Sequence, residues 1–163
     1  MHKAVKDFVR EMVHEYGPFQ DVLEVGSRDV NGSIRPIFSA AQNYIALDNA
    51  PGPGVDFICD AAEMDFNQEF DCVVCCEVLE HSQKWQGILE RAARALRPSG
   101  TLILTCAGPD RAPHNSRDEK SFSGEYYANL DPKELEHELN TLFFMVRVTT
   151  VGMDIQALAE FPR

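Results

Sequence analysis

Two aspartates stand directly after short apolar runs of this 163-residue chain, where they could bind a nucleoside. Asp48 lies about 20 residues after Gly26, a spacing at which a carboxylate can accept hydrogen bonds from both hydroxyls of a ribose. Asp60 closes the next run and could accept a hydrogen bond from an adenine amino group. Both aspartates also have structural alternatives, because Asp48 could cap the turn at Asn49 and Ala50, and Asp60 could cap a helix.

A polar loop begins at Gly26, after the first apolar run. Gly26 allows the backbone to approach a ligand closely, and the amides of residues 31–33 would present a positive helix end to an anionic group. A plain strand-to-helix turn uses the same residue types. The fingerprint of a dinucleotide site needs glycines where this chain has Arg28 and Asn31, so the usual cradle for a pyrophosphate is absent.

His81 is the residue best placed to act as a general base. It follows the fourth apolar run, and a base would assist an acceptor that reacts through oxygen. His81 could instead cap or pack at the start of the next helix. His114, in a polar loop over residues 110–124, could also face an acceptor.

The five cysteines do not predict a metal site. Cys72 and Cys75 are three residues apart on a predicted strand, so they point to opposite faces of a sheet and cannot share a zinc ion. Cys76 and Cys106 end neighbouring predicted strands and could flank a ligand, although buried thiols usually pack as small apolar side chains. An odd number of cysteines in apolar segments predicts reduced thiols and no disulfide framework. We predict no bound metal.

The elements that must position these residues alternate along the chain. Apolar periodicity and breakers predict helices over residues 4–16, 33–41, 84–96 and 131–140. They predict strands over residues 22–25, 44–47, 55–58, 70–76, 101–105, 142–149 and 155–159. This alternation predicts an α/β fold with an open, mostly parallel sheet, helices on both faces and a closing hairpin. Ligands of such sheets bind beyond the carboxyl ends of the strands, beside the first strand.

Composition limits the partners and the compartment. The chain has 15 basic and 26 acidic residues, a formal net charge of −11, which opposes binding to bulk nucleic acid. No run reaches the roughly 18 apolar residues of a membrane span, and the first residues lack the apolar stretch of a signal peptide. We therefore predict a cytoplasmic protein without a membrane partner.

Five segments of the chain, in order, resemble the class I S-adenosylmethionine-dependent methyltransferases with the generic methyltransferase domain. They are VLEVGSRDVNGS (22–33), YIALD (44–48), GVDFICDAA (54–62), FDCVVCCEVLEH (70–81) and LRPSGTLIL (96–104). The resemblance implies a Rossmann-like sheet in the order 3-2-1-4-5-7-6, with strand seven antiparallel. It also implies one methyltransferase domain over residues 1–163. An N-terminal helix would occupy residues 1–17, the cofactor-binding core residues 20–108, and an acceptor-side loop, helix and hairpin residues 109–163.

The same resemblance implies the residues that bind the cofactor. Glu24 and Gly26 would flank its methionine part, Asp48 would hold the ribose, and Asp60 would bound the adenine. The full predicted set lies after the first four strands and comprises Glu24, Gly26, Ser27, Arg28, Asp48, Asn49, Asp60, Ala61, Ala62, Cys76 and Glu77.

The implied function is transfer of a methyl group from S-adenosyl-L-methionine, with S-adenosyl-L-homocysteine as product and His81 as the candidate catalytic residue. We expect a small-molecule acceptor, although no segment of the chain is dedicated to recognising one. One alternative is a protein that binds S-adenosylmethionine without catalysis. The other is a nicotinamide-dependent oxidoreductase, which the missing glycines disfavour. The sequence identifies neither the acceptor nor the oligomeric state.

Overall fold

A computed structural model describes residues 2–116 and 124–163, so the polar loop predicted over residues 110–124 lies partly outside the described residues. The described residues form three α-helices, α1 (Lys3–Tyr16), α2 (Trp85–Ala95) and α3 (Pro132–Leu142). They also form seven strands, β1 (Asp21–Val25), β2 (Asn43–Asp48), β3 (Phe57–Ile58), β4 (Phe70–Cys76), β5 (Leu96–Ala107), β6 (Phe143–Val151) and β7 (Asp154–Pro162). None of the three helices has the length and hydropathy needed to cross a bilayer.

The seven strands form one sheet in the order β3-β2-β1-β4-β5-β7-β6. The strands β1 to β5 pair only in parallel with one another, whereas β7 is antiparallel to both β5 and β6. This arrangement confirms the predicted fold class, strand order and closing hairpin. It also places the carboxyl ends of β1, β2, β3 and β4 at one edge of the sheet.

Apolar side chains cover both faces of the sheet. Leu23 and Cys75 pack in a cluster with α2 and α3, while Val22 and Cys72 pack in a second cluster with α1. A strand that is covered on both faces needs apolar residues at successive positions, which explains the run over β4. The two cysteines lie on opposite faces, as their spacing predicts.

Two predicted elements are shorter in the structure. The helix predicted over residues 33–41 is only a 3₁₀ turn, Arg35–Phe38. The amides of Ile37 and Ala41 bond to carbonyls only three residues earlier, and the Gln42 amide bonds to the Gln20 carbonyl, so no longer helix forms. The strand predicted over residues 55–58 begins only at Phe57. The Val55 amide bonds to the Gly52 carbonyl in the preceding turn, so residue 55 is not part of the strand.

Gly26 turns the chain sharply at the end of β1. Its φ of +76° lies in the left-handed region, and its amide and that of Ser27 both donate to the Leu47 carbonyl, at 2.9 and 3.0 Å. A Cβ placed on Gly26 would lie 2.1 Å from Cγ2 of Val78. The glycine therefore lets the first loop lie against the ends of β2 and β4.

We expect Gly26→Ala to destabilise the protein by roughly 2–4 kcal/mol, from left-handed strain and overpacking together. Denaturant unfolding of Gly26→Ala, Val78→Ala and the double variant would measure the contact. In the double variant, the part of the stability loss that comes from the clash with Val78 should disappear. The part that comes from the left-handed backbone should remain. Gly152→Ala is a matched control, because Gly152 has φ +64° and nothing within 4 Å of an added Cβ. Equal losses at Gly26 and Gly152 would contradict the clash.

A buried polar pair connects β1 with β2. The Glu24 carboxylate is 3% exposed and accepts a 2.7 Å hydrogen bond from the Tyr44 hydroxyl. Burial raises the pKa of Glu24 to about 7, and the bond from Tyr44 and the Arg35 charge only partly oppose this effect. Glu24 therefore becomes charged inside the protein as the pH passes neutrality.

This pKa predicts that folding loses stability between pH 4.5 and 7. The folded pKa lies above the ordinary value of 4.5, so Glu24 stabilises the fold fully below pH 4.5, and this contribution is lost as the pH rises through 7. The loss is about 3 kcal/mol. We expect Glu24→Gln to gain stability relative to the wild type between pH 5 and 8, as measured by urea unfolding. Parallel pH profiles for the two proteins would contradict the prediction, and Glu11→Gln on the exposed side of α1 is the control.

Candidate functional site

A cavity of about 430 Å³ opens at the carboxyl ends of β1, β2 and β4, where the topology predicts a ligand site. Nine of the twelve residues predicted to bind the cofactor or to act in catalysis line it. They are Gly26, Arg28, Asp48, Asn49, Asp60, Ala61, Cys76, Glu77 and His81. The motifs therefore converge on one site, and its volume is ordinary for a small-molecule pocket.

Three predicted cofactor-binding residues, Glu24, Ser27 and Ala62, do not line this cavity. Glu24 bonds to Tyr44, which packs against the apolar cluster under α1. Ser27 is buried, and its backbone amide donates a hydrogen bond to the Leu47 carbonyl. Ala62 donates its amide to Asp60. A direct role of these three residues in cofactor binding stays a prediction.

Asp48 carries out the structural role considered for it and still faces the cavity. One carboxylate oxygen accepts from the Ala50 amide at 3.0 Å, and the other accepts from the Arg28 amide at 3.2 Å. The carboxylate thus joins the first loop to the end of β2. Each oxygen can accept more than one hydrogen bond, so both retain capacity for ligand hydroxyls.

Asp60 caps the 3₁₀ turn that follows β3. One of its oxygens accepts from the Ala62 amide at 3.0 Å, and the other lies 3.0 Å from the Lys84 ammonium. Burial alone would raise the pKa of Asp60, but the bonds from Ala62 and Lys84 lower it. The carboxylate is therefore ionised and fixed at the rim of the cavity.

Glu77 follows β4 with a left-handed backbone, φ +58°, which aims its side chain at the end of β5. Its carboxylate accepts from the Thr105 hydroxyl at 2.9 Å and lies 3.5 Å from His2 and 3.6 Å from Arg111. Burial would raise the pKa of Glu77, but these neighbours together lower it. Glu77 thus keeps a negative charge in the cavity.

Sequence reasoning missed His2 and Arg111, which also line the cavity. The Arg111 guanidinium pairs with the buried Asp154 carboxylate and lies 3.2 Å from Nε2 of His2. The Glu77 carboxylate raises the pKa of His2, with Asp154 contributing in the same direction. These residues come from the two ends of the chain and the loop after β5, so no local pattern could reveal their contact.

His81 ends a 3₁₀ turn, Leu79–His81, and its ring forms a cluster with the rings of His114 and Tyr127. The His81 and His114 ring centres lie 5.0 Å apart with their planes at 87°. Burial lowers the pKa of His81 to about 4, and the nearby His114 adds to this effect. His81 therefore packs locally, which was the structural alternative considered for it. It also lines the cavity together with His114, so it can still act in the site.

Arg28 crosses the cavity from the first loop. Its guanidinium donates to the Ser116 carbonyl at 3.2 Å, whereas its buried Nε has no hydrogen-bond partner among residues 2–116 and 124–163. A carboxylate of a bound molecule would satisfy this nitrogen. With Asp48 and Glu77 the cavity can therefore hold a ligand that carries hydroxyls, a carboxylate and a positive charge.

Residues 36–104 match the model of the methyltransferase domain family. A search among curated proteins finds no significant match. Solved structures with the same fold include 1,6-didemethyltoxoflavin-N1-methyltransferase of Burkholderia thailandensis, with bound 1,6-didemethyltoxoflavin and S-adenosylhomocysteine. It is 16% identical, the match covers 98% of this chain and 79% of that chain, and the TM-score is 0.71.

Two further structures extend the comparison. The DhpI–SAH complex is 18% identical, with 98% of this chain and 86% of that chain covered and a TM-score of 0.73. A phosphoethanolamine N-methyltransferase of Haemonchus contortus, in complex with phosphomonomethylethanolamine and S-adenosylhomocysteine, is 19% identical. In that case 85% of this chain and 37% of the other are covered, with a TM-score of 0.63. The chain therefore has the fold of these methyltransferases, and its residues 36–104 match the domain family that its motifs resemble.

Proposed function

We propose that the chain binds S-adenosylmethionine in this cavity and transfers its methyl group to a small-molecule acceptor. The observation that carries the proposal is the convergence of Gly26, Asp48, Asp60 and Glu77 on one cavity at the carboxyl edge of the sheet. Their backbone and side-chain bonds hold them there independently of any ligand, so the site is preorganised.

The chemical groups of the cavity fit this cofactor. Asp48 would accept from the two ribose hydroxyls, and Asp60 would lie beside the adenine. Arg28 would pair with the carboxylate of the methionine part, because its Nε is buried and otherwise unsatisfied. The negative charge of Glu77 would favour the positively charged end of the cofactor.

S-adenosylmethionine supplies an electrophilic methyl carbon on a sulfonium sulfur. The chain must hold the acceptor in line with that carbon and exclude water. Val25, Leu47, Val78 and Ile88 line the cavity and provide apolar walls for this purpose. A covalent intermediate on the protein is unnecessary, which agrees with the burial of Cys76 and its raised pKa.

Small molecules are the acceptors that the comparisons favour. Two proteins with this fold hold S-adenosylhomocysteine together with a small molecule, 1,6-didemethyltoxoflavin in one and phosphomonomethylethanolamine in the other. The net charge of −11 also disfavours a nucleic-acid acceptor. We propose a cytoplasmic location, since the five cysteines are free thiols, as is usual in reducing compartments.

His81 is the proposed general base for an oxygen acceptor. Its ring faces the cavity, and its lowered pKa of about 4 keeps the imidazole neutral, so a lone pair is available at neutral pH. A base would take the acceptor proton as the methyl group is transferred.

We expect the purified protein to bind S-adenosylhomocysteine, and Asp48→Ala to weaken this binding by about 100-fold or more. Two charge-assisted hydrogen bonds to the ribose, each worth roughly 1.5–3 kcal/mol, would be lost. Isothermal titration calorimetry with S-adenosylhomocysteine, and separately with NAD, measures the affinities.

Asp131→Ala is the matched control for Asp48→Ala. Asp131 also accepts from two backbone amides, those of Lys133 and Glu134, but it caps α3 and does not line the cavity. Both variants should lose about 1–2 kcal/mol of stability, and only Asp48→Ala should lose affinity. Equal S-adenosylhomocysteine affinity in wild type and Asp48→Ala would refute the ribose role, and a preference for NAD would refute the cofactor assignment.

We expect His81→Ala to lower turnover by about 10²- to 10⁴-fold while it changes S-adenosylhomocysteine affinity far less. Release of S-adenosylhomocysteine, measured with fractionated cell extract as the source of acceptor, reports turnover. His14→Ala on the exposed side of α1 should be as active as the wild type. Binding without turnover in every fraction would instead favour a protein that only binds the cofactor.

A further inference from the structure

Glu80 is the most unusual acidic residue of the chain. It is fully buried, at 0% exposure, and neither of its carboxylate oxygens has a hydrogen-bond partner of good geometry within the described part of the chain, although the backbone amides of Glu80 and Ala107 lie near it. A buried carboxylate without a partner is costly, so it must be either protonated or paired with a cation. The structure places two imidazoles beside it and no ammonium or guanidinium within salt-bridge distance among the described residues.

Ligand atoms of Glu80, His81 and His114 all lie within 4.8 Å of one another. Two ligand atoms of one zinc-like ion, each about 2.1 Å from it, are separated by at most about 4.2 Å, so small side-chain rotations would close the site. Nδ1 of His81 is buried and has no hydrogen-bond partner among the described residues. The group is therefore close to the geometry of a metal site.

The second nitrogen of His114 is already oriented as a metal ligand requires. Its Nδ1 lies 3.3 Å from the Ala112 carbonyl, which can only accept, so Nδ1 donates and Nε2 keeps a free lone pair. The His81 ring meets the His114 ring nearly at a right angle, with Tyr127 against both. Ring contacts thus hold both imidazoles near the Glu80 carboxylate.

We propose that Glu80, His81 and His114 bind one divalent transition-metal ion at the wall of the cavity. Two imidazoles and a carboxylate suit Mn²⁺, Fe²⁺, Co²⁺ or Zn²⁺ better than Mg²⁺ or Ca²⁺, which prefer oxygen ligands alone. Three protein ligands leave coordination positions open toward the cavity, because His81 and His114 line it. This site corrects the sequence-based prediction of no bound metal, which rested on the cysteines alone.

A second carboxylate and histidine group, formed by His2, Glu77 and Asp154, is a weaker candidate. The Arg111 guanidinium lies within it, bonded to Asp154 and 3.6 Å from Glu77. A fixed positive charge at the centre of this group would repel a divalent cation. The Glu80, His81 and His114 group is therefore the better candidate for the metal site.

The ion would also determine the class of acceptor. This inference on the acceptor rests on the proposed function. A divalent cation lowers the pKa of a hydroxyl that it binds, so an acceptor with a hydroxyl group is favoured. The hydroxyl proton would pass to water, an O–CH₃ bond would form, and the C–S bond would break with its electron pair on sulfur. His81 would then serve as a metal ligand, which replaces its role as general base.

Metal binding by the full-length protein tests the proposal without any acceptor. Chelator-treated wild type would be titrated with Mn²⁺, Co²⁺ and Zn²⁺ by calorimetry, and the visible absorption of Co²⁺ would report its ligands. We expect one ion per chain, and a loss of affinity of about tenfold to 100-fold or more in Glu80→Gln and in His114→Ala. Mg²⁺ should bind more weakly than each of the three.

The control is His137→Ala, because His137 lies on the exposed side of α3, away from the cavity, and reports adventitious binding to surface histidines. Glu80→Gln removes a buried charge without changing shape, and His114→Ala alters a residue on a loop, so at least one variant should fold. No binding by the wild type, or equal binding by wild type and both variants, would overturn the proposal.

S-adenosylhomocysteine titrated into the same samples, with and without the ion, separates the two proposals. Metal binding without S-adenosylhomocysteine binding would support the metal site and refute the proposed cofactor. S-adenosylhomocysteine binding without metal binding would refute the metal site and leave the proposed function standing.

Discussion

The carbonyl oxygen of Leu47 accepts hydrogen bonds from two successive amides, those of Gly26 and Ser27, and the site depends on this shared acceptor. It ties the turn after β1 to the last residues of β2, while the Asp48 carboxylate holds the Arg28 amide one residue further on. Only a residue without a side chain fits at the turn, because Val78 from the loop after β4 packs against it. Three strand ends therefore share one rigid junction, and the cavity forms beside it.

Three glutamates near this junction show how environment alone assigns different charges to one residue type. Burial raises the pKa of Glu24 beside Tyr44, and burial together with Glu77 raises the pKa of Glu80. Glu77 is buried to a similar degree, yet His2, Thr105 and Arg111 lower its pKa. Of these three glutamates, Glu77 thus keeps a negative charge in the cavity, whereas burial disfavours the charged form of Glu24 and of Glu80.

Residues from near the two ends of the chain meet beside the cavity, where His2 and Arg111 line it and Asp154 pairs with Arg111. His2 precedes α1, and Asp154 begins β7, which reaches the site because it is inserted between β5 and β6 in the sheet. Arg111, from the loop after β5, lies between the two side chains. The antiparallel hairpin therefore contributes to the site as well as closing the sheet.

The sequence by itself determined the elements and the strand ends that carry the site. Apolar periodicity located α1, β4 and α3 to within about two residues, because each buries a continuous face and has local stop signals. The place of Asp48, Asp60 and Glu77 followed from their positions directly after strands of a parallel sheet. The strand order came from the resemblance of five segments to a family, since strand pairing leaves no local trace in a single sequence.

Only the tertiary structure decided which side chains face the cavity. Glu24 points to the face under α1, because alternation along β1 places it with Val22, and the sequence does not reveal which face the ligand approaches. The His2, Arg111 and Asp154 group and the Glu80, His81 and His114 group each join residues from separate parts of the chain. Such contacts depend on sheet register, on loop closure over more than 30 residues, and on burial that removes water from carboxylates. Local sequence patterns carry no information on these three properties.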